Sequence, residues 1–283
     1  KNGRAHMTDP GSSPSITPAG SARPLPIVCM AFGPVALADL YVTRLFEMLR
    51  RHCPRPFRLI CYTDQPRNVP LDIEQRDCSA WTEFDQAGTS VFMRKLGLFN
   101  PAYVEFDEFI YLDLSLVIRQ SMQELLDFAL SAPQDLVIVK DWHYGCYNSS
   151  VMRIRPEPLR FIYDAFVAGE RPEQVLPGDQ DFIHATISSR NAQHQVALFP
   201  EGCVASFKAL VRIGRRDPKL ARRLTEQATV VKFHGRPRMH QAFDPVYHFF
   251  RIRLRDWVHG RLRSPVAVSE LKSHWGGGHD HER

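Results

Sequence analysis

The sequence predicts an α/β fold with a mixed, mostly parallel sheet flanked by helices. Two short apolar runs, 25–32 and 57–62, enclose a segment whose apolar residues recur at helical spacing. A strand, a helix and a strand in this order are typical of a parallel βαβ unit with a right-handed crossover. A third apolar run, 109–118, contains a single acid, Asp113, with apolar residues on both sides. Such a run is typical of a strand buried on both faces of a sheet.

Further strands and helices alternate along the chain, with some antiparallel material in the second half. A turn is predicted at 148–150, where an asparagine precedes two serines. Segment 208–224 is basic and is predicted to be one helix. The remaining predictions are helices at 37–49, 92–99, 121–130, 158–167 and from 178 onward, and strands at 136–140, 151–154 and 228–234.

Composition divides the chain into three segments. Residues 1–24 begin with a segment that resembles a tag remnant. A leader rich in Pro, Gly, Ser and Thr follows, and we expect it to be disordered. Residues 25–244 are predicted to form a single domain. Residues 245–283 are predicted to form a basic, aromatic C-terminal helix followed by a disordered tail. This amphipathic helix would either lie on an anionic membrane surface or pack on the domain.

Charge and cysteine content limit the classes of partner. The net charge of +5 suits an anionic ligand or an acidic membrane surface. Long clusters of Lys and Arg are absent from the first two thirds of the chain, so we expect no nucleic-acid partner. The six cysteines show no regular spacing, which indicates a reducing, cytoplasmic setting. No apolar stretch is long enough to span a bilayer, so membrane contact would be peripheral, on the inner face.

Polar side chains at three places could carry chemistry. Asp113, at the carboxyl end of its strand, faces the crevice in which α/β proteins bind ligands. Ser115 stands where a second acid would complete an Asp-x-Asp cation clamp. His234 ends a predicted strand, where an imidazole can lie beside an anion or a metal ion. The tetrad 178–181 places two carboxylates and an amide at a helix start, where Asp179 is also suited to cap the helix.

Taken in order, these pieces resemble GT-A glycosyltransferases, in particular the glycosyltransferase family 8 type of bacterial sugar transferases. The resemblance covers about residues 26–245. It implies the GT-A, Rossmann-like fold in one catalytic domain. The motifs that carry it are Arg94-Lys95-Leu96, Tyr111-Leu112-Asp113-Leu114-Ser115, Tyr147-Asn148-Ser149-Ser150-Val151-Met152, Gly178-Asp179-Gln180-Asp181 and Lys232-Phe233-His234-Gly235.

The resemblance implies transfer of a sugar from a nucleotide-diphosphate donor, expected to be UDP-linked, with retention at the anomeric carbon. The acceptor, whether a saccharide, a lipid-linked sugar or a protein, is not indicated. By resemblance, a Mn²⁺ or Mg²⁺ ion held by Asp113, Ser115 and His234 would bridge the donor's diphosphate. This chain departs from the family at Ser115, because a neutral hydroxyl replaces the second acid, and that puts metal binding in question.

The resemblance also assigns roles to single residues. Gln180, Asp181 and Asp113 are the expected catalytic residues, with the first two beside the anomeric carbon. Tyr41 is equally suited to the core, and Asn148 to a turn. The residues expected to bind the donor are Ala31, Phe32, Tyr41 and Asp64 near the base, Arg94, Lys95 and Asn148 at the sugar or phosphate, Leu112 and Leu114 around the acid, and Lys232, Gly235, Arg236 and Arg238 at the diphosphate.

Two other classes of protein stay open. Ser115 favours a catalytically silent domain of the same fold that binds a nucleotide sugar or a protein partner. A nucleotidyltransferase would also use carboxylates on an α/β sheet. That class needs a glycine-rich phosphate loop after the first strand, and the Gly-Pro-Val-Ala of residues 33–36 does not provide one.

Overall fold

The structure is a computed structural model that describes residues 23–85, 91–173, 178–244 and 268–276. Its largest element is a seven-stranded sheet. The strands are β1 (Leu25–Ala31), β2 (Phe57–Thr63), β3 (Ile73–Asp77), β4 (Phe109–Leu112), β6 (Leu136–Lys140), β7 (Tyr147–Ile154) and β8 (Val196–Leu198). Their order across the sheet is β3-β2-β1-β4-β7-β6-β8. Only β7 runs against its neighbours, so the predicted mixed, mostly parallel sheet is confirmed.

A second, three-stranded sheet carries the rest of the candidate site. It contains β5 (Leu116–Ile118), β9 (Val204–Ser206) and β10 (Val230–Lys232). The central strand, β10, is antiparallel to β5 and parallel to β9. Since β5 follows β4 directly in the chain, the segment between them links the two sheets.

Helices cover both faces of the large sheet and create two apolar cores. Along β1, Ile27 and Cys29 belong to one core and Val28 and Met30 to the other, because alternate side chains of a strand point to opposite faces. The helices are α1 (Val35–His52), α2 (Gln123–Ser131), α3 (Pro156–Val167), α4 (Asp179–Ser189), α5 (Phe207–Gly214), α6 (Pro218–Gln227), α7 (Met239–Ala242) and α8 (Val268–Gly276), with 3₁₀ segments at Thr82–Phe84, Val91–Phe99 and Gln193–Gln195.

The prediction of one continuous strand at 109–118 is wrong. Strand β4 ends before Asp113, and β5 begins after Ser115 in the other sheet. The backbone of each residue bonds to a different partner sheet. Asp113 N donates to Ser150 O of β7 at 2.9 Å, and Ser115 O accepts from Phe233 N, just after β10, at 2.9 Å. The polar pair therefore marks the point where the chain leaves one sheet for the other.

Two further predictions differ from the structure. The expected turn at 148–150 lies within β7, where the pairing of β7 with β6 changes register between Ile138 and Val139. The basic segment 208–224 forms two helices, because Asp217 caps a new helix by accepting from Leu220 N and Pro218 occupies its first position. The short strands β3, β8 and β9 were not predicted.

The last described helix, α8, packs on α1. Leu271 and Trp275 are buried, and the Trp275 ring lies 5.6 Å from the Tyr41 ring. Residues 1–22 of the predicted leader, the aromatic and arginine-rich stretch 245–267, and the tail from 277 lie outside the described residues. None of the described helices has the length and apolar character that a bilayer crossing requires.

One close contact holds the 3₁₀ segment that carries Lys95. A Cβ atom on Gly97 would lie 2.6 Å from two ring carbons of Trp81, so only glycine allows the backbone to approach the ring. Residues 95–99 of this segment are buried. Trp81 and Gly97 therefore help to fix the backbone from which Lys95 extends.

Candidate active site

Asp113 and Lys232 form the centre of the candidate site, at the carboxyl ends of β4 and β10. The Lys232 ammonium contacts the Asp113 carboxylate directly and donates to Ser115 Oγ at 2.6 Å. Strand pairing explains this convergence. Lys232 lies opposite Leu116, and the next residue, Phe233, bonds to the Ser115 carbonyl. Strand β10 therefore carries Lys232 alongside the segment that links the two sheets.

Lys95 supplies a second cation to the same carboxylate. Its ammonium lies 3.2 Å from Asp113 Oδ1, whereas Lys232 contacts Oδ2. It also lies 2.7 Å from Asp179 Oδ2 and donates to Ser149 Oγ at 3.0 Å. Positive and negative charges thus alternate in a row, which we call the charge row: Lys232, Asp113, Lys95, Asp179. Asp113 is half-buried and the other three are buried. Pairing of this kind is what allows charges to be buried at all.

The pKa values of the charge row follow from this alternation. Burial by itself raises the pKa of Asp113, but the nearby ammonium groups of Lys232 and Lys95 outweigh burial. The Tyr111 hydroxyl donates to Asp113 Oδ1 at 2.7 Å and acts in the same direction, so the pKa of Asp113 lies well below its usual range. Burial lowers the pKa of Lys95, but Asp113 and Asp179 raise it above its ordinary value. For Lys232, the effect of burial outweighs that of the Asp113 carboxylate, so the pKa of Lys232 lies below its ordinary value.

A second group of side chains, which we call the amide cluster, consists of Asn148, Gln180 and Asp141. Asn148 Nδ2 donates to Asp141 Oδ2 at 3.2 Å and to Gln180 Oε1 at 3.1 Å. Asn148 Oδ1 accepts from Ser150 Oγ at 2.5 Å. Asp141 Oδ1 accepts from two backbone N–H groups in the following loop. These bonds fix the orientation of the Asn148 amide, which the sequence had assigned either to a sugar or to a turn.

Gln180 and Asp181, the pair predicted at the reacting face, differ in exposure. Gln180 is half-buried, whereas Asp181 is 3% exposed and lies beside the Cys146 thiol. Burial, followed by the charges of Asp181 and Asp141, raises the pKa of Cys146 to about 12. Gln180 Nε2 lies 3.9 Å from Cys146 Sγ. Gln180 is therefore the more accessible member of the pair.

His234 lies just beyond the end of β10. Its Nε2 is 2.6 Å from Ser206 Oγ, and its ring centre lies 5.9 Å from that of Trp142 and 5.7 Å from that of His143. Burial, followed by the positive charge of Lys232, lowers the pKa of His234 to about 4. The imidazole is therefore neutral at neutral pH.

The three predicted metal ligands do not fit a divalent ion in this arrangement. Lys232 already bonds to both Asp113 and Ser115, the two oxygens that such an ion would share. At 4 Å and an effective dielectric constant of about 20, each unit charge on the ion would repel the ammonium by about 4 kcal/mol. His234 Nε2 is engaged by Ser206. Within the described ranges, no group of three or more His, Cys, Asp or Glu side chains is arranged to hold a metal ion. The ion remains a prediction.

An arginine that the sequence did not single out organises the ends of β1 and β2. The buried Arg67 guanidinium donates to the backbone oxygens of Ala31 at 3.0 Å and Gly33 at 3.1 Å. It also donates to Thr63 Oγ1 at 2.7 Å and to Asp64 Oδ1 at 2.8 Å. Two predicted base contacts, Ala31 and Asp64, are thus brought together.

Two other predicted donor contacts, Phe32 and Arg94, also lie close together. The Arg94 guanidinium carbon is 5.8 Å from the Phe32 ring centre. Tyr41, by contrast, is buried with its hydroxyl 2.9 Å from His240 Nδ1 and its ring against Trp275. Tyr41 thus makes the core contacts that the sequence left open as an alternative.

The remaining predicted residues lie around the charge row. Leu112 is completely buried in the core, so only its backbone could meet a ligand, and Leu114 is half-buried. After His234 the chain turns at Gly235, whose φ of 71° is in the left-handed region that favours glycine. Arg236 and Arg238, on the exposed segment that follows, are accessible to an anion.

Sequence reasoning missed several residues of the site. Asp179 was considered only as a helix cap, but Gly178 occupies the cap position and Asp179, the first helical residue, bonds to Lys95. Ser149 links the same two residues by donating to Asp179 Oδ2 at 2.5 Å. Asp141 carried one signal that could have been used: a polar residue directly after a buried strand, as at Asp113.

The large sheet, the small second sheet, and the acid at their junction define the class of fold. This is the GT-A fold of glycosyltransferases, as the sequence resemblance implied. No protein-family model matches the chain, and no curated protein sequence matches it.

Solved structures of glycosyltransferases share this fold. The galactosyltransferase LgtC in complex with donor and acceptor sugar analogues is 14% identical, with 88% of this chain and 100% of that chain covered and a TM-score of 0.52. The apo form of the glycosyltransferase GlyE from Streptococcus pneumoniae is 15% identical, with 89% and 63% covered and a TM-score of 0.54. The bifunctional glycosyltransferase WbbM is 12% identical, with 93% and 53% covered and a TM-score of 0.55. At these identities the likeness establishes the fold.

Proposed function

We propose that this protein is a retaining glycosyltransferase that moves a sugar from a UDP-linked donor to an acceptor hydroxyl. The observation that carries the proposal is the charge row beside the amide cluster, at the carboxyl edge of a GT-A sheet. The two groups of side chains share two elements. Ser149 and Asn148 are neighbours on β7, and Asp179 and Gln180 are neighbours on α4.

The chemistry of the two groups suits the two halves of such a donor. The chain segment that follows Lys232 carries the exposed Arg236 and Arg238. Cationic side chains form strong, charge-assisted hydrogen bonds with phosphate oxygens. Asn148 and Gln180 offer amide donors and acceptors of the kind that hold sugar hydroxyls. A ligand that spans both groups would place its sugar–phosphate bond between them.

The transfer breaks the bond between the anomeric carbon and the diphosphate oxygen, and the electron pair goes to the diphosphate. A bond forms between the anomeric carbon and the acceptor oxygen, and the acceptor's proton passes to a diphosphate oxygen. The leaving group gains negative charge as this happens, and fixed positive groups at that position stabilise the transition state. We assign this role to Lys232, Arg236 and Arg238, and the positioning of the reacting sugar to Asn148 and Gln180.

A donor-hydrolysis assay tests the proposal. The full chain is incubated with a panel of UDP-sugars, with and without Mn²⁺, and released UDP is measured. We expect at least one UDP-sugar to be hydrolysed above the rate without protein. The variants Asn148→Ala and Gln180→Ala should each lower that rate by at least about tenfold, which corresponds to about 1.4 kcal/mol in the transition state.

The matched control is Gln193→Ala, which removes the same type of side chain from an exposed site. Its rate should equal that of the unmodified protein. Tight binding of UDP without hydrolysis of any donor would instead favour the silent binding domain that Ser115 suggests. Failure to bind UDP or any UDP-sugar would overturn both. The acceptor, and membrane contact through residues 245–267, remain proposals that this assay does not address.

A further inference from the structure

We propose that the Lys232 ammonium replaces a divalent cation in this donor site, so that the diphosphate is bound without a metal ion. The inference rests on the proposed function, because it concerns the same nucleotide-sugar site. It goes further by assigning to Lys232 the place of the divalent ion that the sequence resemblance implied, and by excluding that ion.

The first support is the match between Ser115 and Lys232. An Asp-x-Asp clamp carries two negative charges, and a bound divalent ion neutralises both. In this chain the clamp carries one negative charge, on Asp113, and the Lys232 ammonium neutralises it by direct contact. Ser115 completes the arrangement by accepting from the same ammonium at 2.6 Å. Serine and lysine together therefore preserve the charge balance of the clamp without an ion.

The second support is the way in which Lys232 is held. Its backbone is fixed by the pairing of β10 with both β5 and β9, and the residue is 6% exposed. Among the described residues its ammonium donates to two acceptors, Asp113 and Ser115. An ammonium carries three N–H groups, so one remains for a phosphate oxygen. The cation is thus already in place before the donor arrives.

The third support is the state of the other predicted ligand. His234 Nε2 is engaged by Ser206 Oγ, and the centre of its ring lies 5.9 Å from that of Trp142 and 5.7 Å from that of His143. Metal coordination through Nε2 would require that bond to break. His234 is thus held by Ser206, Trp142 and His143, and the cationic role falls to Lys232.

Binding of nucleoside diphosphates to the full chain tests this inference independently of turnover. UDP, CDP, GDP and ADP are titrated by calorimetry in excess EDTA and then in excess Mn²⁺. We expect at least one of them to bind, with dissociation constants in the two buffers that agree within about twofold. Electron paramagnetic resonance of added Mn²⁺ should show no stoichiometric binding to the unmodified protein.

Variants then assign the effect to Lys232. Lys232→Met should weaken binding of the diphosphate by at least about tenfold in both buffers, whereas Lys232→Arg should retain most of the affinity. The double variant Ser115→Asp with Lys232→Met restores the two-acid clamp, so its binding should depend on Mn²⁺. Lys219→Met, which removes an exposed lysine from α6, is the matched control and should behave as the unmodified protein. Circular dichroism checks that each variant is folded.

The outcomes separate the inference from the proposed function. A nucleoside diphosphate that binds only in the presence of Mn²⁺, or stoichiometric Mn²⁺ binding by the unmodified protein, would overturn the inference and leave the transferase proposal standing. Absence of binding in both buffers would overturn the proposed function and the inference with it. If Lys232→Met fails to fold, the comparison of the two buffers on the unmodified protein still decides the question.

Discussion

Replacement of Lys95 by methionine tests the energetics of the charge row most directly. In the folded protein the Lys95 ammonium lies between two carboxylates, at 3.2 Å from Asp113 and 2.7 Å from Asp179. Its side chain is 9% exposed, so solvent screens these contacts little. Methionine has a similar length and keeps most of the packing, but it removes the charge that Asp179 relies on.

The expected loss follows from the number of charges left without a partner. Asp113 keeps Lys232, whereas Asp179 loses its cation and, among the described residues, keeps the Ser149 hydroxyl. Loss of one partner from a buried ion pair costs about 3–5 kcal/mol. We expect the lower part of that range, about 3 kcal/mol, because one of the two carboxylates stays paired. A domain with about 5–15 kcal/mol of stability would remain folded.

Urea denaturation at neutral pH, followed by tryptophan fluorescence, measures this loss. The double variant Lys95→Met with Asp179→Asn removes both charges and should recover most of the loss. Lys219→Met, at an exposed position, should change the free energy of unfolding by less than about 0.5 kcal/mol. A loss below about 1 kcal/mol for Lys95→Met, or a double variant no more stable than the single one, would refute the reasoning.

Three further predictions concern stability. His234 has a folded pKa of about 4, below the value of about 6.5 expected in the unfolded chain, so stability should fall as the pH drops from about 6.5 to 4. After allowance for solvent screening we expect about 1–2 kcal/mol, and His234→Gln should flatten this part of the urea-denaturation profile. Gly97→Ala should cost about 1–3 kcal/mol through its clash with Trp81, measured by thermal unfolding, whereas Gly145→Ala, with open space around it, should cost little. Trp275→Ala should cost about 3–5 kcal/mol in the same assay by emptying the contact between α8 and α1.

Each of these predictions has an outcome that would contradict it. A pH profile that is equally steep with glutamine at position 234 would assign the acid sensitivity to other groups. Equal thermal stability of the two glycine variants would show that the Trp81 ring moves aside at little cost. An unchanged unfolding temperature for Trp275→Ala would mean that α8 contributes little to the fold.

Periodicity and composition predicted β1, β2, β4 and β6 of the large sheet, because these strands are apolar on both faces. The apolar runs that became β1, β2 and β6 were recognised for this reason. The break at Asp113 was not recognised, because apolar residues continue on both sides of it. No residue nearby in the sequence indicates that the chain changes sheets there. The strands β8 and β9, with three residues each, are too short to show any periodicity.

The candidate site was predictable where function is carried by a short motif and not where it depends on distant contacts. Asp113, Lys232 and His234 stand out at strand ends. The sequence placed Asp113 and His234 together as metal ligands, whereas in the structure Lys232 contacts Asp113 and His234 Nε2 lies against Ser206 Oγ. The bond between Lys95 and Asp179 joins residues far apart in sequence, and only the packed fold brings them together. In the sequence, Arg67 resembles an ordinary exposed arginine of a loop. Only the folded structure shows that it is buried at the ends of β1 and β2.

The junction between the two sheets offers a way to detect ligand binding. Lys232 belongs to the small sheet, while Ser149 and Asn148 belong to the large one. A donor that contacts both Lys232 and Asn148 would connect two sheets that are hydrogen-bonded separately. Occupancy should therefore slow amide hydrogen exchange in β7 and β10 together, which makes exchange rates a screen for substrates that needs no product to be identified.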